Sequence, residues 1–213
     1  MGKIDNLWGV TLVMCLSAVS FSGIAKAQEL LPYKNPSLPV EERVQDLLQR
    51  MTLEEKVDQL NMKSLNALRM DEKGAVTDSS LIKLFQGRSI GCLESPFVEH
   101  SKVALYSEAA DHYLRTQTRL GIPAIQIAEC LHGQMALGTT IFPQAIGLGS
   151  TWNPDLVRQM AAVIAEEASL SGVDQALSPL FDLARDPRYG RVEECYGEDP
   201  CLVKEMGVAF VTG

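Results

Sequence analysis

Cysteine is scarce in this sequence, and no pair of cysteines is spaced for a metal. Five stand among 213 residues, and no Cys-x-x-Cys occurs. A zinc site of the usual thiolate spacing is therefore not expected. Positive charge is also in deficit: 19 Lys and Arg against 27 Asp and Glu give a net charge of −8. Phosphate backbones are gripped by basic stripes, so nucleic acid is not an expected partner. Neither G-x-G-x-x-G nor G-x-x-x-x-G-K-S/T is present, which removes the phosphate-cradling loops of nucleotide-binding folds. There is no internal repeat and no low-complexity block. What remains is an ordinary globular composition, 46% apolar and 22% charged, long enough for one sizeable core.

The N-terminus departs from that composition. Lys3 gives a short positive start, an apolar stretch runs from about Leu7 to Ile24, and Ala25-Lys26-Ala27 has the small-x-small form of a cleavage site. Residues 1–27 read as a secretory signal peptide, which makes the protein periplasmic or secreted and leaves no membrane span after cleavage. Cys15 follows Met14, where a lipoprotein would want a small residue. The mature chain keeps Cys92, Cys130, Cys195 and Cys201 in a compartment that permits disulfides, with three pairings open.

Residues 28–39 carry Pro32, Pro36 and Pro39 and read as a linker; the main domain runs from 40 to 213. A helix begins near Val40, with Val44, Leu47, Leu48 and Met51 at helical spacing. Thr52-Leu-Glu-Glu55 is a capping box. Residues 63–90 are weakly patterned. Ile90–Leu93, Ala124–Ala128 and Gln175–Leu183 read as strands. Val103–Arg119 reads as a helix with Val103, Tyr106, Ala110, Tyr113 and Leu114 on one face. Asn153-Pro154 and Asp199-Pro200 each supply a helix N-cap followed by a first-turn proline. The first of these helices carries Leu156, Met160, Val163 and Ile164, and the second Leu202, Val203, Met206 and Phe210. Trp152 reads as core or helix-start packing.

Strand–loop–helix alternation predicts a parallel α/β sheet, although a flavodoxin-like order would look similar. In such folds chemistry sits at the carboxyl ends of the strands. Glu129 and His132 fall just past one strand, and Asp186 to Arg191 just past the next. The second of these loops, D-P-R-Y-G-R-V-E-E-C-Y-G-E-D-P, holds five carboxylates and two arginines in fifteen residues.

That loop, together with M-T-L-E-E-K-V-D-Q-L at 51–60, R-L-G-I-P at 119–123, E-C-L-H-G at 129–133, T-I-F-P-Q at 140–144 and T-W-N-P-D-L at 151–156, resembles family 3 glycoside hydrolases over most of residues 40–213. The resemblance implies a (β/α)8 TIM-type barrel, of which this α/β chain would hold the first half only. It implies an exo-acting, retaining β-glycosidase, exported by the N-terminal reading above, that acts on terminal β-D-glucosyl or β-D-xylosyl residues of oligosaccharides, with no metal and no organic cofactor.

Retaining hydrolysis needs two carboxyl groups about 5–5.5 Å apart. By resemblance the nucleophile lies in a Ser-Asp-Trp/Tyr-like motif, and a Lys-His pair binds sugar; neither occurs here, so the nucleophile is expected after Gly213. The chain then reads as a truncated form that does not hydrolyse glycosides alone. A non-catalytic carbohydrate-binding remnant is the alternative.

Matched position by position, Glu129 and Arg191 are substrate-binding residues. The carboxylate would accept from adjacent hydroxyls, and the guanidinium would donate to them. For Arg191 a loop-fixing salt bridge to Glu194 or Glu198 competes with that role. His132 reads first as ordering its loop and second as a substrate contact. Asp186 and Arg188 read as scaffold, and Cys130 as a buried, inert thiol. Many β-glucosidase-like members have Asp where Glu129 stands, whereas β-xylosidase-like members often have Glu. The extra methylene could fill space that the C6 group of a hexose needs, which predicts a lean toward pentosides.

Overall fold

The computed structural model describes residues 30–213, so the signal-peptide assignment lies outside the described residues. The chain divides into two compact units, one ending at Gln49 and one running from Arg50 to Gly213.

In the first unit, Pro32–Lys34 makes one 3-10 turn and α1 spans Val40–Arg50. Buried Tyr33 anchors the turn: its N–H donates to Asp46 Oδ2 at 3.2 Å, and its carbonyl accepts from Arg43 Nε at 3.2 Å. The apolar stripe expected of α1 is present, but none of its residues is buried.

The second unit alternates strands and helices. Its elements are α2 (Leu53–Asp58), β1 (Met62–Ser64), α3 (Asp78–Phe85), β2 (Cys92–Glu94), α4 (His100–Gln117), β3 (Ile125–Ala128), α5 (Ala145–Gly149), α6 (Pro154–Leu170), β4 (Gln175–Ala176) and α7 (Pro200–Thr212). The four strands form one parallel sheet in the order β1-β2-β3-β4. Each crossover moves the chain one position in the same direction. A doubly wound sheet reverses at a switch point, so this unbroken order excludes the flavodoxin-like alternative and describes an arc of a barrel.

Local chemistry sets the helix starts. Thr52 Oγ1 accepts from the Glu55 N–H at 3.2 Å, and Glu55 Oε2 accepts from the Thr52 N–H at 2.9 Å, completing the capping box. Arg119 also grips Glu55, its Nε lying 2.9 Å from Oε1. Two separate sequence motifs thus meet at one carboxylate. Asn153 accepts from the Leu156 N–H at 3.1 Å and Asp199 from the Leu202 N–H at 2.9 Å, as their spacing predicted.

Two apolar clusters hold the helices to the sheet. One joins Leu65, Leu81, Phe85, Leu93, Tyr113 and Leu114. The other joins Ala128, Leu148, Met160, Ile164, Tyr196 and Met206. Each Leu, Ile, Phe or Met side chain among them contributes about 1.5–3 kcal/mol on burial. All five residues assigned to the inner face of α4 are buried.

Three expectations are corrected. Gln175–Leu183 is not one strand, because Pro179 has no N–H for the ladder and pairing stops after the Leu177 N–H bond to Ala128 O. The buried face of α6 is Val157, Met160, Ala161, Ile164 and Ala168, while Leu156 and Val163 are exposed; Ala161 and Ala168, rather than Leu156 and Val163, complete the face that Met160 and Ile164 present to the core. Trp152 is 70% exposed and adopts a positive φ of 54° in the α5–α6 turn, so it packs no core. The weakly patterned residues 63–90 hold most of β1 and all of α3, which are too short for their periodicity to stand out.

Candidate functional site

Glu129 directly follows β3, at the carboxyl end of an interior strand. The loop behind it is tied by paired contacts. The Phe142 N–H donates to His132 O at 2.7 Å, and His132 Nδ1 lies 3.1 Å from Phe142 O. A carbonyl only accepts, so Nδ1 carries the proton, and in the neutral ring Nε2 is left as an acceptor. Gly133 has φ +135°, and a Cβ there would lie 2.3 Å from Thr140 O, so only glycine fits. The loop-ordering role expected of His132 is thus visible in its geometry.

The 186–200 loop follows β4. Asp186 and Arg188 form an exposed clasp, with Arg188 Nη2 2.6 Å from Asp186 Oδ2. Arg191 lies just before a 3-10 turn at Val192–Glu194 and pairs side-on with Glu194: Nε to Oε1 is 2.9 Å and Nη2 to Oε2 is 2.5 Å. Among the described hydrogen bonds this leaves the Nη1 edge of the guanidinium uncommitted. Buried Cys195 and Tyr196 root the loop in the core.

The two residues matched to sugar-binding positions, Glu129 and Arg191, converge, and His132, the weaker candidate, lies beside them. Glu129, His132 and Arg191 line one cleft of ≈ 300 Å³, with Glu194 and Gln144 beside them and Met135 on the apolar side. Burial holds the Glu129 carboxyl above the usual carboxylate range; Arg191 pulls it down, while Glu194 and Glu94 push it further up. Arg191 also lowers Glu194, here through their direct hydrogen bonds and as the largest influence. The guanidinium therefore stabilises Glu194 more than Glu129. Cys130 is fully buried, and burial pushes its thiol up to about 11, which makes it a poor nucleophile. The four described cysteines are free thiols.

Sequence reasoning passed over two groups. Gln144 lines the cleft with a buried Oε1 that lacks a hydrogen-bond partner. Glu94 closes β2 and acts on Glu129 electrostatically. An acid ending the apolar run Ile90–Leu93 was the available signal for Glu94. Glu194, read as structural, is the group that holds Arg191. Trp152 does not line the cleft.

A family model described as the N-terminal domain of glycosyl hydrolase family 3 matches residues 52–213. The chain belongs to glycosyl hydrolase family 3. A β-xylosidase of Formosa agariphila is 50% identical over 101 residues, 45% of this chain and 14% of that relative. The solved β-glucosidase from Erythrobacter marinus superposes with a TM-score of 0.69 at 33% identity, over 84% of this chain and 23% of that one. The β-glucosidase from Listeria innocua, solved in complex with isofagomine, has a TM-score of 0.61 at 36% identity, over 81% and 22%. The family 3 chain described here spans less than a third of the length of these curated relatives and of others such as a 31%-covered β-glucosidase C of Emericella nidulans. Its four-stranded parallel arc is part of the TIM barrel of such enzymes.

Proposed function

We propose that this family 3 chain supplies sugar recognition to an exported, exo-acting, retaining β-glycosidase acting on terminal β-glucosyl or β-xylosyl residues. The observation that carries the reading is the meeting of Glu129, His132 and Arg191 in one cleft at the carboxyl ends of β3 and β4. An ionised Glu129 accepts from two sugar hydroxyls, and the Nη1 edge of Arg191 donates to one of them. The cleft volume is at the low end for small-ligand pockets, which suits a single ring. The Listeria innocua relative was solved with isofagomine and with glucose, ligands of that size.

No residue described here is assigned as nucleophile or acid/base. Residues 1–213 alone should bind sugar without hydrolysing glycosides. Export rests on the N-terminal motif and on relatives from Dickeya chrysanthemi and Salmonella typhimurium that are named periplasmic. Among the described residues, no helix is long and apolar enough to cross a membrane.

Calorimetric titration with xylose, glucose and isofagomine tests the reading. Glu129→Ala and Arg191→Met should each weaken binding by about tenfold or more, the loss expected for a charge-assisted hydrogen bond. Unchanged affinity in both variants would overturn it. The pentoside preference is tested separately, by aryl-β-xyloside against aryl-β-glucoside turnover in the complete enzyme; a tenfold glucoside preference would sink it.

A further inference from the structure

A second hollow, of ≈ 470 Å³, adjoins the sugar cleft at the carboxyl end of the sheet. Met135 lines both recesses, and its N–H donates to the Glu129 carbonyl at 3.0 Å, so the two meet at one residue. The walls of the hollow come from the loops that follow β2 and β3. These loops are stitched together. The Leu137 N–H donates to Val98 O at 2.9 Å, and the Leu137 carbonyl accepts from the His100 N–H at 2.8 Å. Asn66 Oδ1 accepts from the Phe97 N–H at 2.9 Å and holds the β2 loop from the β1 side.

This lining is apolar where the cleft is charged. Phe97, Met135, Leu137 and Ile141 are each at least 47% exposed, and all four surround the one hollow. Among the described residues no charged side chain lines it. Its hydroxyl, Thr139 Oγ1, is committed to Gln134 O at 2.7 Å and Ala136 O at 2.8 Å. The N–H groups of Phe97, Met135, Ala136 and Leu137 are committed as well. Exposed hydrophobic residues scattered singly are ordinary, but a cluster beside a binding cleft marks a contact surface.

The chemistry of the walls narrows the occupant. An ion finds no counter-charge there. A second sugar ring would bring hydroxyls against walls whose polar groups are mostly engaged. An apolar group carried by the bound sugar fits instead. In an exo-acting enzyme the terminal ring fills the cleft, and the group to which it is linked projects beyond it. Met135 stands at that junction, and its unbranched thioether adapts to a flat ring or to a chain. The volume lies within the range of small-molecule sites. We propose that this hollow receives the aglycone, and that the substrate class is a β-glycoside of an apolar alcohol or phenol. The inference rests on the sugar-recognition reading of the neighbouring cleft.

The test is calorimetric titration of the 213-residue chain with the methyl and octyl β-glycosides of glucose and of xylose, kept below micelle formation. The octyl glycosides should bind at least about tenfold tighter than the methyl ones, the effect of burying about two methylene groups. Phe97→Ser and Leu137→Ser should each erase most of that gain, while the methyl glycosides, which have no tail, bind as before. Both side chains are more than half exposed, so neither change disturbs a core. Glu129→Ala should weaken methyl and octyl glycosides alike. Methyl glycosides indifferent to Glu129→Ala would refute the sugar reading and this inference with it. With the sugar reading intact, an octyl gain under about twofold, or one that survives both serine variants, would overturn the aglycone site alone. So would cellobiose or xylobiose binding tighter than the octyl glycosides and losing affinity in the same variants. Self-association in sedimentation that the serine variants abolish, without an octyl gain, would assign the face to a second copy of the chain and overturn the proposal too.

Discussion

Two glycines in the same short helix should respond in opposite directions to a single methyl group. In α5, a Cβ at Gly149 would lie 1.9 Å from the Tyr196 carbonyl oxygen and 2.8 Å from its carbon. That is about 1.5 Å inside ordinary van der Waals contact, and the obstacle is backbone, not the tip of a flexible side chain. Tyr196 is 1% exposed, so its segment has no free space to retreat into. Overpacking of this kind costs about 1–3 kcal/mol, and a fixed main-chain target puts Gly149→Ala at the upper end. For a chain of this size that lowers Tm by roughly 6–12 °C. Gly147 is different: its added Cβ meets only Pro143 Cβ, at 3.7 Å. Gly147→Ala should instead gain about 0.5 kcal/mol, since alanine loses less backbone freedom in a helix. Urea unfolding of both variants, with the slope m compared to confirm the same transition, reads the difference. The displacement at Tyr196 should also move Arg191 and Glu194, so Gly149→Ala should weaken sugar binding and Gly147→Ala should not. A Gly149→Ala variant within about 0.5 kcal/mol of wild type would refute the packing of α5 against the 186–200 loop.

Other consequences follow from single groups. Burial raises the Glu129 carboxyl pKa, so the folded state keeps its proton where the unfolded chain has released it; stability from this source is full below the ordinary pKa and falls as pH rises from about 4 through the raised value. Glu129→Gln should remove that slope in urea melts, and an unchanged slope would show that Glu129 is not desolvated. Asp199→Ala should lose about 1 kcal/mol in thermal melts and Asp199→Ser far less, because the cap needs only an acceptor for the Leu202 N–H. Ellman's reagent should modify exposed Cys201 in the folded chain and leave Cys130, whose thiol stands at about 11, until denaturant is added. Equal rates at the two thiols would contradict the burial of Cys130.

Most of what the sequence determined was local. The capping box at Thr52 and Glu55 and the caps at Asn153 and Asp199 join groups three residues apart, so their spacing alone specifies them. The inner face of α4 was legible because large apolar side chains recur at helical spacing along eighteen residues. The position of Glu129 just past a strand could also be read, as could the scaffold role of Asp186 and Arg188; Arg191 lies well beyond the end of β4, which stops at Ala176.

Tertiary structure decided the rest. Alanine-rich α6 presents two plausible faces, and packing against α7 and the core selects the one with Ala161 and Ala168. Arg191 had two acidic candidates within reach, and the 3-10 turn at Val192–Glu194 brings Glu194 alone into side-on register. The convergence of Glu129 with Arg191, and the meeting of Phe97 with Leu137 in the apolar hollow, depend on parallel strand pairing between segments far apart in sequence. Capping bonds close within one turn of chain, but those juxtapositions form only when the whole sheet has assembled.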